Sequence, residues 1–254
     1  MGKSILVKGG NFKSVRPGIP KALMPNNVNH VRDLLIGSKY VENEGWINAG
    51  RVEDADKPED EVSRAYSYPD FVESSGIITG RSLLRYNRGS SNSGDVLRLK
   101  PSLGDTFSFT VVFLMVDDLS DELCPFGFTF GDEKYLTALR IKDFESNPES
   151  MYFSTHEIDW VQLFETQAGQ RDIVTVQQGE SGTKIYHLGN EVYSNEDMII
   201  PGIDSIDIGQ RSIIESSMNP FDGVIAYAET ATEILSPSEV LEKHDQLAAY
   251  YALD

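Results

Sequence analysis

The stretch Thr106-Phe-Ser-Phe-Thr-Val-Val-Phe-Leu-Met115 sets Phe107, Phe109, Val111, Phe113 and Met115 two residues apart. Successive side chains of a strand point to opposite faces of a sheet, so these five share a face and predict a strand with an aromatic core side. The other face opens with Thr106, Ser108 and Thr110 and turns apolar at Val112 and Leu114. It is expected to be covered at that end. Downstream, Phe126, Phe128 and Phe130 repeat the two-residue period in a segment punctuated by Gly127 and Gly131.

Further strands are predicted over 136–141, 151–154, 158–164, 173–177, 184–188, 191–193, 203–208 and 223–228. Gly179-Glu-Ser-Gly182 supplies one hairpin turn and Gly189-Asn190 the next. Short strands at this spacing with no helices between them indicate a sandwich or barrel. One helix is expected, at the C-terminus. Ser236-Pro-Ser-Glu239 reads as a capping box with proline at the first helical position. Val240, Leu241, His244, Leu247, Ala248 and Tyr251 follow as an apolar stripe that should pack on the sandwich, with His244 a satisfied packing histidine.

Residues 1–74 read differently. They hold Pro17, Pro20, Pro25, Pro58 and Pro69, the pair Asn26-Asn27 and an acidic run from Glu53 to Glu61. One strand is plausible over 4–8 and a short helix or strand over 28–36; the rest reads as loop. Two readings stay open: an arm lying along the main domain or a neighbouring subunit, or surface loops of the same domain. The division drawn is an N-terminal arm, 1–74, and a sandwich, 75–254. Ser90-Ser-Asn-Ser-Gly94 is expected to be a loop between strands.

A chain of 254 residues buries enough surface to fold without staples, and its single cysteine, Cys124, cannot form an internal disulfide. Cys124 is expected to be a buried thiol packed as a small hydrophobe. The net charge of -18 repels nucleic acid and anionic lipid. No apolar run approaches the ~20 residues of a membrane span. The apolar stretch near Met1 is too short for a secretory signal. Leu6 stands where a myristoylation signal carries serine or threonine. The chain is therefore expected to stay in a cytoplasm unless exported within a larger assembly.

The order of features from Arg171 onward resembles the last part of concanavalin A-like, laminin-G-like jelly-roll domains. The features are Asp172-Ile-Val-Thr-Val, the hairpin Lys184-Ile-Tyr-His-Leu-Gly-Asn-Glu-Val, Ile206-Asp-Ile-Gly209, Pro220-Phe-Asp-Gly-Val-Ile-Ala-Tyr and Leu235-Ser-Pro-Ser-Glu-Val. Residues 107–113 resemble an earlier core strand, so the resemblance spans about residues 75–254. It implies an all-β antiparallel jelly-roll sandwich, a fold that hosts lectins, adhesins, glycanases and structural modules. Lys3-Ser-Ile-Leu-Val-Lys-Gly-Gly-Asn-Phe resembles the openings of some bacteriophage virion proteins. That implies a head or tail decoration or fibre protein, assembled in the host bacterium, attached to other virion proteins through its arm and homo-oligomeric. Its external partners would be cell-surface or mucosal glycans. Trp46, Tyr66, Tyr68 and Tyr193 are the candidate sugar-contacting aromatics, since sugar sites combine aromatic surfaces with a few placed polar groups.

Glu157-Ile-Asp-Trp-Val-Gln162 resembles the Glu-Ile-Asp-X-X-Glu strand of laminarinase-type glucanases. There the first glutamate is nucleophile, the aspartate assists and the last glutamate is acid/base. Glu157 and Asp159 match, but Gln162 cannot donate or recover a proton, and a retaining mechanism needs two carboxyl groups ~5 Å apart. A non-enzyme is expected. No zinc spacing joins His30, His156, His187 and His244, and no phosphate-binding or nucleophile-elbow motif is present.

No cofactor is expected, calcium being the one candidate, at Asp117, Asp118, Asp121 and Glu122. The bland alternative is a solvated acidic loop. Millimolar calcium is expected to leave the melting temperature unchanged; a calcium-dependent rise, abolished by Asp117→Asn with Asp121→Asn, would make these residues a cation site.

Overall fold

A computed structural model describes residues 32–36, 40–41, 45–46, 65–67, 69–72, 83–87, 93–99, 104–115, 123–130, 134–142, 150–155, 160–167, 169–198, 203–210 and 221–251. Among them the strands are β1 (Arg32–Ile36), β2 (Tyr40–Val41), β3 (Gly45–Trp46), β4 (Ala65–Ser67), β5 (Asp70–Val72), β6 (Leu83–Tyr86), β7 (Ser93–Asp95), β8 (Leu97–Leu99) and β9 (Phe107–Met115). They continue as β10 (Phe126–Phe130), β11 (Lys134–Lys142), β12 (Ser150–Thr155), β13 (Val161–Glu165), β14 (Arg171–Gly179), β15 (Gly182–His187), β16 (Asn190–Asn195), β17 (Ser205–Ile208) and β18 (Gly223–Ala231). The C-terminal helix is Pro237–Tyr250.

The larger sheet runs β16-β15-β14-β9-β18, and the far edge of β18 is shared. Gly223 to Ile225 pair with β6, which pairs with β5, while Tyr227 to Ala231 pair with β1. The smaller sheet runs β13-β12-β11-β10-β17-β8. The ladders of both sheets are antiparallel. The chain passes between sheets from β8 to β9, from β9 to β10, from β13 to β14, from β16 to β17 and from β17 to β18. This is the all-β jelly-roll sandwich with a terminal helix that the sequence indicates.

Between the sheets, Phe107, Phe109, Val111, Phe113 and Met115 are fully buried, as the two-residue period requires. Phe109 meets Phe126 and Phe128 from the opposite sheet with ring centroids 4.9 and 5.4 Å apart. Edge-on and tilted rings match a negative face to a positive edge, adding ~1 kcal/mol per pair beyond the area buried.

The opposite face of β9 is buried along its whole length, polar residues included. The C-terminal helix lies on that side. The Ser236 hydroxyl accepts from the Glu239 amide while the Glu239 carboxylate accepts from the Ser236 amide, and such a cap contributes about 1 kcal/mol. Val240, His244, Leu247 and Tyr251 are buried. Leu241, expected in the same stripe, is instead 45% exposed, because it lies one residue round the helix from Val240. At the other end, Arg171 donates to the carbonyls of Ala248 and Tyr251, both at 2.8 Å, which occupies acceptors that a helix end leaves open.

His244 pins the helix to the sheet. Its Nδ1 accepts from the Gly189 amide at 2.7 Å, so Nε2 carries the hydrogen and donates to Thr175 Oγ1 at 2.8 Å; Thr175 Oγ1 in turn meets Thr110 Oγ1 at 2.8 Å. This is the satisfied histidine expected from sequence.

Several boundaries differ from the sequence reading. The second hairpin turn is Leu188-Gly189, one residue earlier than expected, with φ of 47° and 83°. A two-residue turn of this hand needs positive φ twice; Gly189 takes it freely, and the Asn190 amide supports Leu188 by donating to its carbonyl. Ser93 and Gly94, expected in a loop, belong to β7. Residues 32–36 are a strand, and β1 and β5 place parts of the first 74 residues in the larger sheet. The strand predicted over 4–8 lies outside the described residues. No described helix is long and apolar enough to cross a membrane.

Burial, followed by the charges of Lys243 and His187, lowers the His244 pKa to about 3. The unfolded chain takes up this proton below about pH 6.5, whereas the folded protein resists it until about pH 3. Stability from this group is therefore complete above pH 6.5 and falls by about 1.4 kcal/mol per pH unit below it. Urea unfolding at pH 7 and pH 5 is expected to give a drop that His244→Gln reduces by about 2 kcal/mol; an unchanged drop would refute the assignment.

Candidate functional site

The two sheets end on the same side in β13 and β16, and these two edge strands meet there. A polar and aromatic constellation sits there. On β14, Val174 and Val176 face the core, and Asp172 shares their side at the start of the strand. His187 pairs with Val174 across the β14–β15 ladder, so its ring turns the same way. The hairpin is held in register by Gly182, whose φ of 85° and close approach to the Asn195 carbonyl leave no room for a Cβ.

Asp172 is fully buried and its carboxylate is saturated with donors. Thr166 Oγ1 donates at 2.6 Å, Gln170 Nε2 at 3.1 Å and His187 Nε2 at 2.8 Å. A buried carboxylate is tolerated only when paired and hydrogen-bonded in this way. Because the carboxylate accepts, Nε2 of His187 carries a hydrogen; in the neutral imidazole Nδ1 is then an acceptor. The imidazole lies flat on Phe164, with centroids 3.5 Å apart and planes 4° apart.

Phe164 reaches that position through a bulge. Met151 pairs with Phe164 and Tyr152 with Gln162, so the register skips Leu163. Two residues that would otherwise share a face are thereby separated. Phe164 packs against the core, and Gln162 is exposed, its amide donating to Ser150 Oγ at 2.9 Å. Tyr193 completes the edge. It is half-buried, its ring 5.5 Å from Phe153, and its hydroxyl lies 3.7 Å from the Met198 sulfur and accepts from Asn195 Nδ2 at 3.2 Å.

A second polar group lies across the smaller sheet. Arg98 forks onto the buried Asp207 with Nε–Oδ1 at 2.6 Å and Nη2–Oδ2 at 2.8 Å, bridging the paired strands β8 and β17. It acts as a cross-strand clamp.

Of the residues named from sequence, Tyr193 is on edge strand β16 and packs inward. Trp46 and Tyr66 are members of β3 and β4. Tyr68, Asp117, Asp118, Asp121, Glu122, Glu157 and Asp159 lie outside the described residues. Cys124 is buried and its thiol lies 3.2 Å from the Phe126 carbonyl. Among the described residues no group of three histidine, cysteine, aspartate or glutamate side chains is placed to hold a metal ion. Sequence reasoning missed Asp172, His187 and Phe164 as a unit, since only the hairpin register and the Leu163 bulge bring them together.

Chemically, the edge holds a stacked aromatic pair, an imidazole 11% exposed and oriented by a carboxylate, and amides and a hydroxyl beside it. Among the described hydrogen bonds no serine or cysteine is linked to His187.

No protein-family model and no curated protein matches this sequence. Solved structures share its fold. Domain 4 of the extracellular arabinanase AbnA of Geobacillus stearothermophilus, in complex with arabinotriose, superposes with a TM-score of 0.55 at 12% identity, covering 83% of this chain and 98% of that one. Trypanosoma rangeli sialidase in complex with sialic acid gives 0.54 at 11% identity, over 85% of this chain and 32% of that one. The chain thus matches the whole of the arabinanase domain and about a third of the sialidase.

Replacing Asp172 by alanine strands three buried or half-buried donors, and hydrogen bonds to a charged group contribute roughly 1.5–3 kcal/mol each. Asp172→Ala is expected to lower the urea midpoint by the equivalent of about 3 kcal/mol or more. A loss under 1 kcal/mol would mean that the carboxylate does not organise this edge.

Proposed function

We propose that this protein is a non-catalytic carbohydrate-binding sandwich that holds a neutral saccharide at the β13–β16 edge. The observation that carries the reading is the flat stack of His187 on Phe164 beside the buried Asp172. A sugar ring presents an apolar C–H face and a rim of hydroxyls. The stack offers an aromatic edge for the first, and His187 Nδ1 an acceptor for the second. Asp172 fixes the tautomer, acting as a positioning residue. The fold comparison supports the reading, since the arabinanase domain was solved with a neutral saccharide, arabinotriose, bound. The choice of a neutral sugar follows from charge: a chain of net charge -18 disfavours anionic ligands.

The non-catalytic reading rests on Gln162. It is exposed on β13 at the position of the acid/base glutamate in the laminarinase-like motif, and an amide transfers no proton at neutral pH. A second reading, attachment on a phage particle as a homo-oligomer joined to other virion proteins, rests on the sequence Lys3 to Phe12. A sugar-binding sandwich on a particle surface would serve adhesion to cell-surface or mucosal glycans, so the two readings are compatible.

A glycan array followed by calorimetric titration tests the proposal. Binding of a neutral oligosaccharide is expected, weakened at least tenfold by His187→Ala and by Phe164→Ala with the fold retained by circular dichroism. Absence of array binding, or variants that bind like the parent, would overturn it. Sugar release from laminarin that Glu157→Gln abolishes would overturn the non-catalytic assignment.

A further inference from the structure

The face of the larger sheet that the terminal helix covers is partly polar. Two register rows cross it: Gln177, Ser108 and Ala231 in one, Thr175, Thr110 and Glu229 in the next. All six are buried, yet only Ala231 is apolar. Groups that can return to hydrogen bonds with water lower the cost of uncovering a face. Gln177 also holds the residue that leads into the helix. Its Oε1 accepts from the Leu235 amide at 2.6 Å and its Nε2 donates to the Leu235 carbonyl at 3.2 Å.

The strands are joined by main-chain ladders, but the helix is not. Every described hydrogen bond between the helix and the larger sheet uses a side chain on at least one partner. Among the described residues the buried helix side chains are Val240, His244, Leu247 and Tyr251. His244 Nδ1 accepts from the Gly189 amide at 2.7 Å. A proton on Nδ1 sets one N–H against another, so this contact holds for the neutral ring and turns repulsive on protonation.

Other fastenings of the helix have the same sign. Lys243 pairs with Glu229 at 3.0 Å, and Glu229 also accepts from the Tyr227 hydroxyl; a protonated carboxyl gives up the ion pair. Glu239 accepts from the hydroxyl and the amide of Ser236, which hold its carboxyl below the usual carboxylate range. A carboxyl held low stabilises at neutral pH and loses that contribution as the pH falls. Arg171 and the Tyr251 hydroxyl donate to carbonyls, which acid leaves unchanged.

The surroundings of His244 do not offset a charge on it. Burial, then Lys243 beside it and His187 on β15, disfavour protonation. Arg171 on β14 is a further cation, at the helix end. On β15 and β16, Lys184 pairs with Glu191 at 2.9 Å, and the Tyr186 hydroxyl lies 3.4 Å from the same carboxylate. Glu229 on β18 is engaged by Lys243, and β9 contains no charged residue. Among the described hydrogen bonds of the His244 ring none is to a carboxylate.

We propose that the C-terminal helix is an acid-released cover, which below neutral pH leaves the larger sheet as a unit while the sandwich stays folded. Release uncovers the two polar rows and separates the β15–β16 turn from His244. The packing of Phe107, Phe109 and Phe113 on Phe126, Phe128 and Phe221 contains no ionisable group, so acid leaves it in place. The inference is independent of the sugar-binding reading, because it concerns the outer face of the larger sheet.

Hydrogen–deuterium exchange of the full-length protein at pH 7 and pH 5, corrected for intrinsic rates and read by peptide mass spectrometry, tests it. A histidine exposed by release takes up its proton below about pH 6.5, so release gains up to about tenfold per pH unit there. Amides of residues 240–251 are expected to lose about twentyfold in protection between the two pH values, and to exchange while those of 107–115 stay protected. In His244→Gln the amide can accept from Gly189 and donate to Thr175 without titrating, so the loss is expected to stay under about threefold. A variant that keeps the full loss, or helix protection that does not change with pH, overturns the proposal. So does exchange of the helix and β9 at one common rate, a comparison made within the parent protein that stands even where the variant fails to fold.

Discussion

Strand β9 is buried on both faces, and the architecture is organised around that constraint. A strand at the centre of a sheet must find cover on each side. One face of β9 is covered by aromatic packing between the sheets, where Phe107, Phe109 and Phe113 meet Phe126, Phe128 and Phe221. The other carries Ser108 and Thr110, which oil-like packing cannot satisfy. The C-terminal helix answers with a polar contact: His244 joins the Thr175–Thr110 pair below and the Gly189 amide at the β15–β16 turn. The helix is thus a structural lid on the larger sheet.

The same logic explains the pattern of buried polar groups. Asp172, Asp207, Glu229 and His244 are all nearly inaccessible, and each is met by partners drawn from a different element: Asp172 by His187, Asp207 by Arg98, Glu229 by Lys243 and His244 by Thr175. A buried polar group left alone costs far more than a paired one gains, so such pairs fix which strand lies beside which. The Asp172–His187 pair differs in lying against an aromatic ring, Phe164, at the β13–β16 edge.

A jelly roll by itself says little about activity, since one scaffold supports binding, hydrolysis and structure. At 12% identity the arabinanase domain establishes the shared fold, and function has to be argued from side chains. Here that argument turns on Gln162 and on the stack behind it. The Leu163 bulge sends Gln162 outward and Phe164 inward from neighbouring positions of one short strand.

Much of the fold was legible in the sequence because its signals are local. The alternation from Phe107 to Met115 names the core face, Ser236 to Glu239 names the start of the helix, and the glycines around Glu180-Ser181 name a hairpin. Boundaries slipped where long-range pairing overrode local signals. Leu188, at the end of a predicted strand, is a turn residue, because the β15–β16 register, and not the residue's own preference, sets its φ. Leu241 falls outside the buried stripe, which is narrower than the spacing of apolar residues predicts. The candidate site was hardly legible at all. Asp172, His187 and Phe164 are ordinary residues of three different strands or strand ends, and nothing local to any of them marks a site. Sequence alone determined that this chain alternates into short strands followed by a capped terminal helix, since periodicity and capping act over a few residues. Only the tertiary structure decided which polar residues meet, because a hairpin register and a one-residue bulge act across strands that the sequence keeps apart.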